Sequence, residues 1–310
     1  MRTGVLGIDT SCYTTSCALA ADGEIVSSAR RLLTVKQGER GLRQSDGVFQ
    51  HVGNLPEMVD ETVRAAGNGV RIGAVCVSAR PRDAEGSYMP VFTVGLSTAR
   101  SIAAALNVPL IETTHQQGHV RAAMVGTGLT GAHLALHLSG GTTEVLDVAE
   151  GLRVTCIGGT ADLNAGQFID RAGVRLGLSF PAGPQVEALA KDRPAKGLLP
   201  LSARDGLVSF SGAEAQVMRM ADSGDYSNEE ICAEVFGYVA RAIVRLIADA
   251  VEKTGKNEVL LAGGVASSVY LRTLVAERAE RKKVRAKLYW ARPELSGCTS
   301  IPSYSQSARA

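Results

Sequence analysis

The side chains whose spacing most directly suggests chemistry are His115 and His119, four positions apart in the run His115-Gln116-Gln117-Gly118-His119. On a helix, residues four apart share one face with Cβ atoms roughly 6 Å apart, so both imidazoles could reach one cation. Two ligands do not complete a metal site, and no third ligand lies nearby in sequence. Paired histidines in an apolar setting are often hydrogen-bonded packing residues. A protease of the His-Glu-x-x-His type needs a glutamate as general base where this chain has Gln116.

Anion-binding turns are the second candidate chemistry. Thr10, Ser11, Thr14, Thr15 and Ser16 follow one apolar run, and Ser139, Gly140, Gly141, Thr142 and Thr143 follow another. Small side chains let backbone N–H groups converge on an anion, and the hydroxyls add donors. Asp9 could hold a hydrated Mg²⁺ against phosphates. Gly263-Gly264, between an expected strand and helix, would let a ligand approach a helix N-terminus. Each turn alone reads as an ordinary hairpin; three together point to a nucleotide site. Asp170 can accept from a ribose hydroxyl or make a surface salt bridge, and Asp162 can cap the helix that follows it. Gly183, in the rigid turn Phe180-Pro181-Ala182-Gly183-Pro184, could let a ligand lie on the backbone. His133 and His137 share one face of a strand and read as core or edge residues. The basic run Arg278, Arg281, Lys282, Lys283, Arg285, Lys287 reads as a solvated helix end. Together with Arg30, Arg31, Lys36, Arg40 and Arg43 it could make an RNA footprint.

The elements that must position these groups are legible in the hydropathy pattern. Strand, turn and strand over residues 5–20, then a strand at 24–29, are followed by a helix at 51–66 with Val52, Leu55, Val59 and Val63 on one stripe. A buried parallel strand at 72–79, a helix at 88–106 and a strand at 109–112 lead into the histidine helix. The pattern then repeats: strands at 134–148 and 152–157, helices near 164–177 and 183–191, and a strand at 206–211. A long helix at 228–253, a strand at 259–264, a helix at 266–279 and a strand at 286–290 complete it. The expected organisation is α/β, with two related lobes around a cleft: residues 1–112, residues 113–297, and an irregular tail at 298–310.

At 310 residues, with 45% hydrophobic and 21% charged residues, the chain reads as a globular protein of two lobes. A net charge of +2 permits contact with RNA without arguing for it. The six cysteines (12, 17, 76, 156, 232, 298) form no Cys-x-x-Cys pair and read as buried thiols in a reducing cytoplasm. Met1-Arg2-Thr3 leads straight into a strand, so no signal peptide is expected, and no apolar run is long enough to span a membrane.

Seven motifs in order carry a resemblance: GIDTS at 7–11, HQQGH at 115–119, LSGGTTEV at 138–145, AGQFIDR at 165–171, FPAGP at 180–184, FSG at 210–212 and LAGGV at 261–265. Together they resemble the tRNA threonylcarbamoyladenosine transferase family (TsaD), over about residues 4–294. The resemblance implies the two-lobed actin-like ATPase fold of sugar kinases and heat-shock chaperones, built from two ribonuclease-H-like halves. It implies transfer of a threonylcarbamoyl group from threonylcarbamoyl-AMP to N6 of the adenosine beside a tRNA anticodon. His115 and His119 would be catalytic metal ligands for one iron or zinc ion, with Mg²⁺ accompanying the nucleotide. Asp9, Ser11, Ser139, Gly140, Gly141, Thr142, Asp170, Gly183, Gly263, Gly264 and Ser268 would contact the adenylate or ATP. The implied partners are tRNA, a paralogous dimer subunit and a small ATPase, in the cytoplasm and without a membrane.

The departures bear on activity. The family's Cys-Asp-Glu-Thr is Cys12-Tyr13-Thr14-Thr15 here, so an acidic pair is missing. The family glutamate between the histidines is Gln117, and its asparagine after the Gly-Gly loop is Ser268. No aspartate follows Asp249, so the late aspartate ligand is missing, and Cys298 falls in its slot. The polar, aperiodic tail CTSIPSYSQSARA has the character of a shifted reading frame. Two further readings stand beside the transferase: a non-catalytic nucleotide-binding paralogue acting as partner subunit in tRNA modification, and a sugar or acetate kinase.

Overall fold

A computed structural model of the chain describes residues 1–11, 13–35 and 42–292. Cys12, Lys36, Arg40, Cys298 and the tail at 298–310 lie outside those residues. The chain divides into two compact units, Met1–Gly118 and the chain from His119 on.

In the first unit, β1 (Arg2–Asp9), β2 (Thr14–Ala21) and β3 (Glu24–Leu32) form an antiparallel meander, and β4 (Val70–Arg80) and β5 (Leu110–Thr114) extend it in parallel, giving the order β3-β2-β1-β4-β5. Parallel β1, β4 and β5 send their carboxyl ends to the same edge, where open α/β sheets place ligands. Asp9 and Ser78 sit at the ends of β1 and β4, and β5 runs directly into α3 (His115–Met124). Leu6, Ile8, Leu19, Val75 and Val77 form the core with Leu55 and Met58 of α1 (Gln44–Ala66) and Ala99 of α2 (Pro90–Leu106).

Helix α1 differs from the sequence expectation in both start and phase. It begins at Gln44, and the face it buries carries His51, Leu55, Met58 and Thr62, while Val52 and Val63 are exposed. Polar residues took buried positions because the sheet supplies partners. His51 Nδ1 and Thr15 Oγ1 share a hydrogen bond of 2.8 Å, Thr62 Oγ1 donates to Cys17 O at 3.3 Å, and Ser27 Oγ donates to Thr62 O at 2.7 Å. An apolar stripe counted from side-chain type alone cannot register such pairs.

In the second unit, β6 (His133–Leu138), β7 (Thr143–Val148) and β8 (Val154–Thr160) repeat the antiparallel meander. With β9 (Ser202–Arg204), β10 (Leu207–Ser209), β11 (Glu258–Ala262) and β12 (Lys287–Trp290) the order is β12-β11-β6-β7-β8-β10-β9. α4 (Ala165–Arg175) and α5 (Gly183–Ala190) precede β9, α6 (Ser211–Ser223) and α7 (Asn228–Thr254) follow β10, and α8 (Val269–Arg281) precedes β12. Strand β9 and helix α6 have no counterpart in the sequence expectation. α6 buries little more than Ala213, Val217 and Met220, too sparse a stripe to stand out. α7 opens with a Ser227–Glu230 capping box and ends at Gly255 in the left-handed region, φ 72°. Its buried face carries the core, where Tyr238, Phe168 and Phe210 meet edge-on or tilted with ring centroids 5.7 Å apart.

Among the described cysteines Cys17 and Cys232 are buried, and burial raises their thiols to about 11 and about 12. Cys156, expected to be buried, is exposed, as is its neighbour Thr155, where the pairing of β8 with β7 shifts register between Val145 and Leu146. No described helix is long and apolar enough to cross a membrane.

Burial lowers His51 to about 4, against a weaker upward pull from Asp9. Its native pKa is depressed, so the unfolded chain binds the proton first, and the stability from neutral His51 is lost as pH falls from 6.5 towards 4. Chemical denaturation at pH 7 and pH 4.5 is expected to show a stability loss on the order of 2 kcal/mol from this residue. A His51→Gln variant should show a correspondingly flatter profile; an unchanged pH dependence would refute the assignment.

Candidate functional site

Asp9 is the best-connected polar side chain at the end of the first sheet. Its Oδ1 accepts the Ser11 N–H at 2.7 Å, and its Oδ2 accepts the Ser78 hydroxyl at 2.7 Å and lies 2.9 Å from His115 Nδ1. Burial alone would raise the carboxyl, but the His115 hydrogen bond and charge, with Ser11 and Ser78, hold it well below the usual carboxylate range. Asp9 therefore stays ionised and fixes the His115 ring. A neutral His115 then carries its proton on Nδ1 and its lone pair on Nε2. This is the arrangement in which a carboxylate orients a metal-ligating imidazole. Ser78 was not singled out from sequence, since it sits in the apolar run Val75-Cys76-Val77-Ser78; its one signal is a hydroxyl at a parallel strand end.

The start of α3 explains Gln117. Gln117 N–H donates to Thr114 Oγ1 at 3.1 Å, and Gln117 Oε1 accepts the Thr114 N–H at 2.8 Å. This is a reciprocal capping box, in which glutamine and glutamate are interchangeable. The departure from the family glutamate thus leaves the anchoring of the histidine helix intact. His119 stands one turn beyond His115 on α3, its ring 5.5 Å from that of His137. Whereas the sequence places His137 as a core or edge residue, it lies beside His119. His133 is buried, with Nδ1 2.8 Å from Gly131 O.

In the second unit the carboxyl ends of parallel β6 and β11 lie side by side, with His137 opposite Ala262. Gly263 is required there: it has φ 101°, and a Cβ would fall 2.3 Å from Leu138 O. Ser139 closes its turn by donating its N–H to Thr142 O at 2.8 Å and accepting from Gly141 N at 3.3 Å. The start of α4 presses on this turn. Ala165 N–H donates to Thr143 Oγ1 at 2.8 Å, and a Cβ on Gly166 would lie 2.8 Å from Gly140. Ser139, Gly140, Gly141, Thr142 and Gly263 are therefore brought together, beside the α4 N-terminus.

The remaining residues have structural partners. Among the described residues Asp170 makes no salt bridge; its Oδ1 accepts the N–H groups of Ala182 (2.8 Å) and Gly183 (3.2 Å), fixing the start of α5. Burial raises this carboxyl, and the two backbone donors oppose the rise. Asp162 caps a different helix from the one expected. α4 is capped by Asn164, while Asp162 accepts Phe210 N–H at 2.8 Å and Ser211 N–H at 3.3 Å, at the start of α6. Burial opposes ionisation of Asp162, but the Ser209 and Ser211 hydroxyls and these amides hold it well below the usual range. Ser268 is buried and caps α8 by accepting from Leu271 N at 3.0 Å. A 3₁₀ turn, Val265–Ser267, separates Gly264 from α8, so the Gly-Gly pair does not open that helix directly.

Among the described residues, no group of three His, Cys, Asp or Glu side chains is placed to hold a metal. Two imidazoles one turn apart, the first oriented by a carboxylate, fit a divalent cation as two of its ligands.

The family model for tRNA N6-adenosine threonylcarbamoyltransferase (TsaD) matches residues 43–297. A transferase of that name from Methanopyrus kandleri is 31% identical over 282 residues, covering 89% of this chain and 78% of the relative. A probable bifunctional tRNA threonylcarbamoyladenosine biosynthesis protein from Thermoplasma volcanium is 30% identical over 88% of this chain, which spans half of that protein's length. Among solved structures, full-length HypF in its phosphate- and nucleotide-bound form superposes with a TM-score of 0.59 at 13% identity, covering 93% of this chain and 44% of that one. A ROK family glucokinase from Streptomyces griseus gives 0.52 at 12% identity, covering 94% and 96%. The fold is that of the actin-like ATPases.

Removing the cap tests how firmly α3 is anchored. Gln117→Ala is expected to lower stability by about 1 kcal/mol in urea denaturation, and Gln117→Glu to leave it within error. Equal losses in both variants would contradict the capping role.

Proposed function

The chain belongs to the tRNA N6-adenosine threonylcarbamoyltransferase family, and on that premise we propose that it moves a threonylcarbamoyl group from threonylcarbamoyl-AMP to N6 of the anticodon-adjacent adenosine of tRNA. The observation that carries this reading is Asp9 held against His115 Nδ1 at the head of a capped helix. His115 and His119 would hold one divalent ion, iron or zinc, which when bound supplies Lewis-acid polarisation of a carbonyl. Asp9 keeps the His115 ring in one orientation and one tautomer. The turn from Ser139 to Thr142, at the α4 N-terminus, offers backbone donors to the adenylate phosphate. Asp170 spends Oδ1 on Ala182 and Gly183, and its Oδ2 is left to accept from a ribose hydroxyl. The N6 amine attacks the carbamoyl carbon, the bond to the phosphate oxygen breaks, AMP leaves with the bonding pair, and the surplus N6 proton passes to water. The protein works in the cytoplasm with a paralogous dimer subunit and a small ATPase.

One observation favours a second reading, a non-catalytic subunit of the same modification system. Half-exposed Tyr13 and Thr14 stand where the family carries an acidic pair. The two readings part in a direct assay: purified protein, threonylcarbamoyl-AMP and an unmodified tRNA transcript, with nucleosides analysed by mass spectrometry. Modified adenosine formed by the wild type and lost in His115→Ala is the expected result; none, with or without partner subunits, would leave the non-catalytic reading.

The role of Asp9 has its own readout. Asp9→Asn should weaken iron or zinc binding about 10- to 100-fold while the protein stays folded by circular dichroism. Unchanged affinity would remove Asp9 from the account.

A further inference from the structure

Away from these motifs, the second unit encloses a cavity of about 360 Å³ between α7, α8 and the loop at residues 194–197. Its walls are unusual in charge. Arg241 comes from α7, and Arg278 and Arg281 from α8, spaced so that they share the face carrying Tyr270 and Leu274. Among the described residues no carboxylate forms an ion pair with any of the three arginines. Lys196 on the rim is already paired with Glu230 at 2.8 Å, and Glu277 is the one acidic side chain in the lining.

The cavity is built rather than incidental. Glu234, almost wholly buried in α7, accepts the backbone N–H groups of Lys196, Gly197 (2.9 Å) and Leu198 (2.8 Å), which pins the loop in place. The loop sits so close to α7 that a Cβ on Gly237 would lie 2.4 Å from Ala195 Cβ. Arg241 is held by donating to Leu199 O at 2.6 Å and lies over the Tyr238 ring, while its buried Nε has no partner among the described residues. Burial, and then the charges of Arg241 and Arg281, push Arg278 below its usual value, as expected where like charges converge without a counterion.

We propose that this cavity is a phosphate-binding site that seats a backbone phosphate of the RNA substrate between Arg241, Arg278 and Arg281. An anion there relieves the mutual repulsion, and guanidinium forks suit phosphate geometry. A polyanion is favoured over a free small anion because the positive charge does not stop at the rim. Past Arg281, exposed Lys282, Lys283, Arg285 and Lys287 continue it, with Glu280 the one acidic residue between 278 and 287. The identification of the polyanion as tRNA rests on the transferase reading.

The test is fluorescence anisotropy with a labelled tRNA transcript over a range of salt concentrations, on wild type and Arg278→Gln/Arg281→Gln. The variant is expected to bind at least tenfold more weakly, with the slope of log K against log salt reduced by about 1.5 to 2. Equal affinity and slope, with tRNA still bound, would overturn the cavity proposal and leave the transferase reading standing. If the wild type binds an unrelated RNA as tightly as tRNA and the variant binds neither, the cavity is upheld and tRNA is not its specific ligand. Absence of any RNA binding by the wild type would overturn the proposal, and the transferase reading would then stand or fall on the modification assay. Should the double variant unfold, exposed Arg281→Gln alone is expected to lose about half of the slope change.

Discussion

The arrangement at the head of α3 depends on one half-buried hydrogen bond, Asp9 Oδ2 against His115 Nδ1. Three parallel strands make it possible, because β1, β4 and β5 end at the same edge of their sheet. β1 delivers the carboxylate, β4 delivers Ser78 as a second donor, and β5 passes without a loop into the helix that carries the imidazole. A carboxylate this enclosed would be costly alone; with an imidazole, a hydroxyl and an amide around it, ionisation is favoured. The same residues that hold the charge therefore dictate how His115 presents its other nitrogen.

In the second unit acidic side chains do comparable work on the backbone. Asp162, Asp170 and Glu234 each gather two or three N–H groups from a separate stretch of chain. In doing so they fix the start of α6, the start of α5 and the loop at 194–197. Motif residues that sequence suggests for ligand contact can thus be partly spent on structure. Asp170 commits Oδ1 to two backbone donors, and Ser268 uses its hydroxyl as a helix cap. The turns are thus held in place by carboxylates, of which Glu234 is buried, Asp170 half-buried and Asp162 exposed.

Much of this was legible in the sequence, for identifiable reasons. The repeated strand–turn–strand pattern, the long amphipathic α7 and the i,i+4 histidines depend on local periodicity, and all three lie where the pattern puts them. The phase of α1 was not legible, because His51 and Thr62 are buried by partners 36 to 45 residues away in sequence. Ser78 was invisible for the same reason, its role arising from strand pairing. Gln117 looked like a loss until its bond to Thr114 showed that a glutamine completes the same cap. The arginine cavity needs α7 and α8 packed together, and a linear sequence shows only a basic helix end.

Asp9, as the acceptor at Nδ1, sets the tautomer of His115. Long-range proton–nitrogen correlation spectra of metal-free protein labelled at its five histidines, recorded near pH 8, would read it directly. The His115 signal, assigned through its loss in His115→Ala, is expected to show the proton on Nδ1 and an unprotonated Nε2, and to change in Asp9→Asn. A wild-type ring carrying its proton on Nε2 would contradict it.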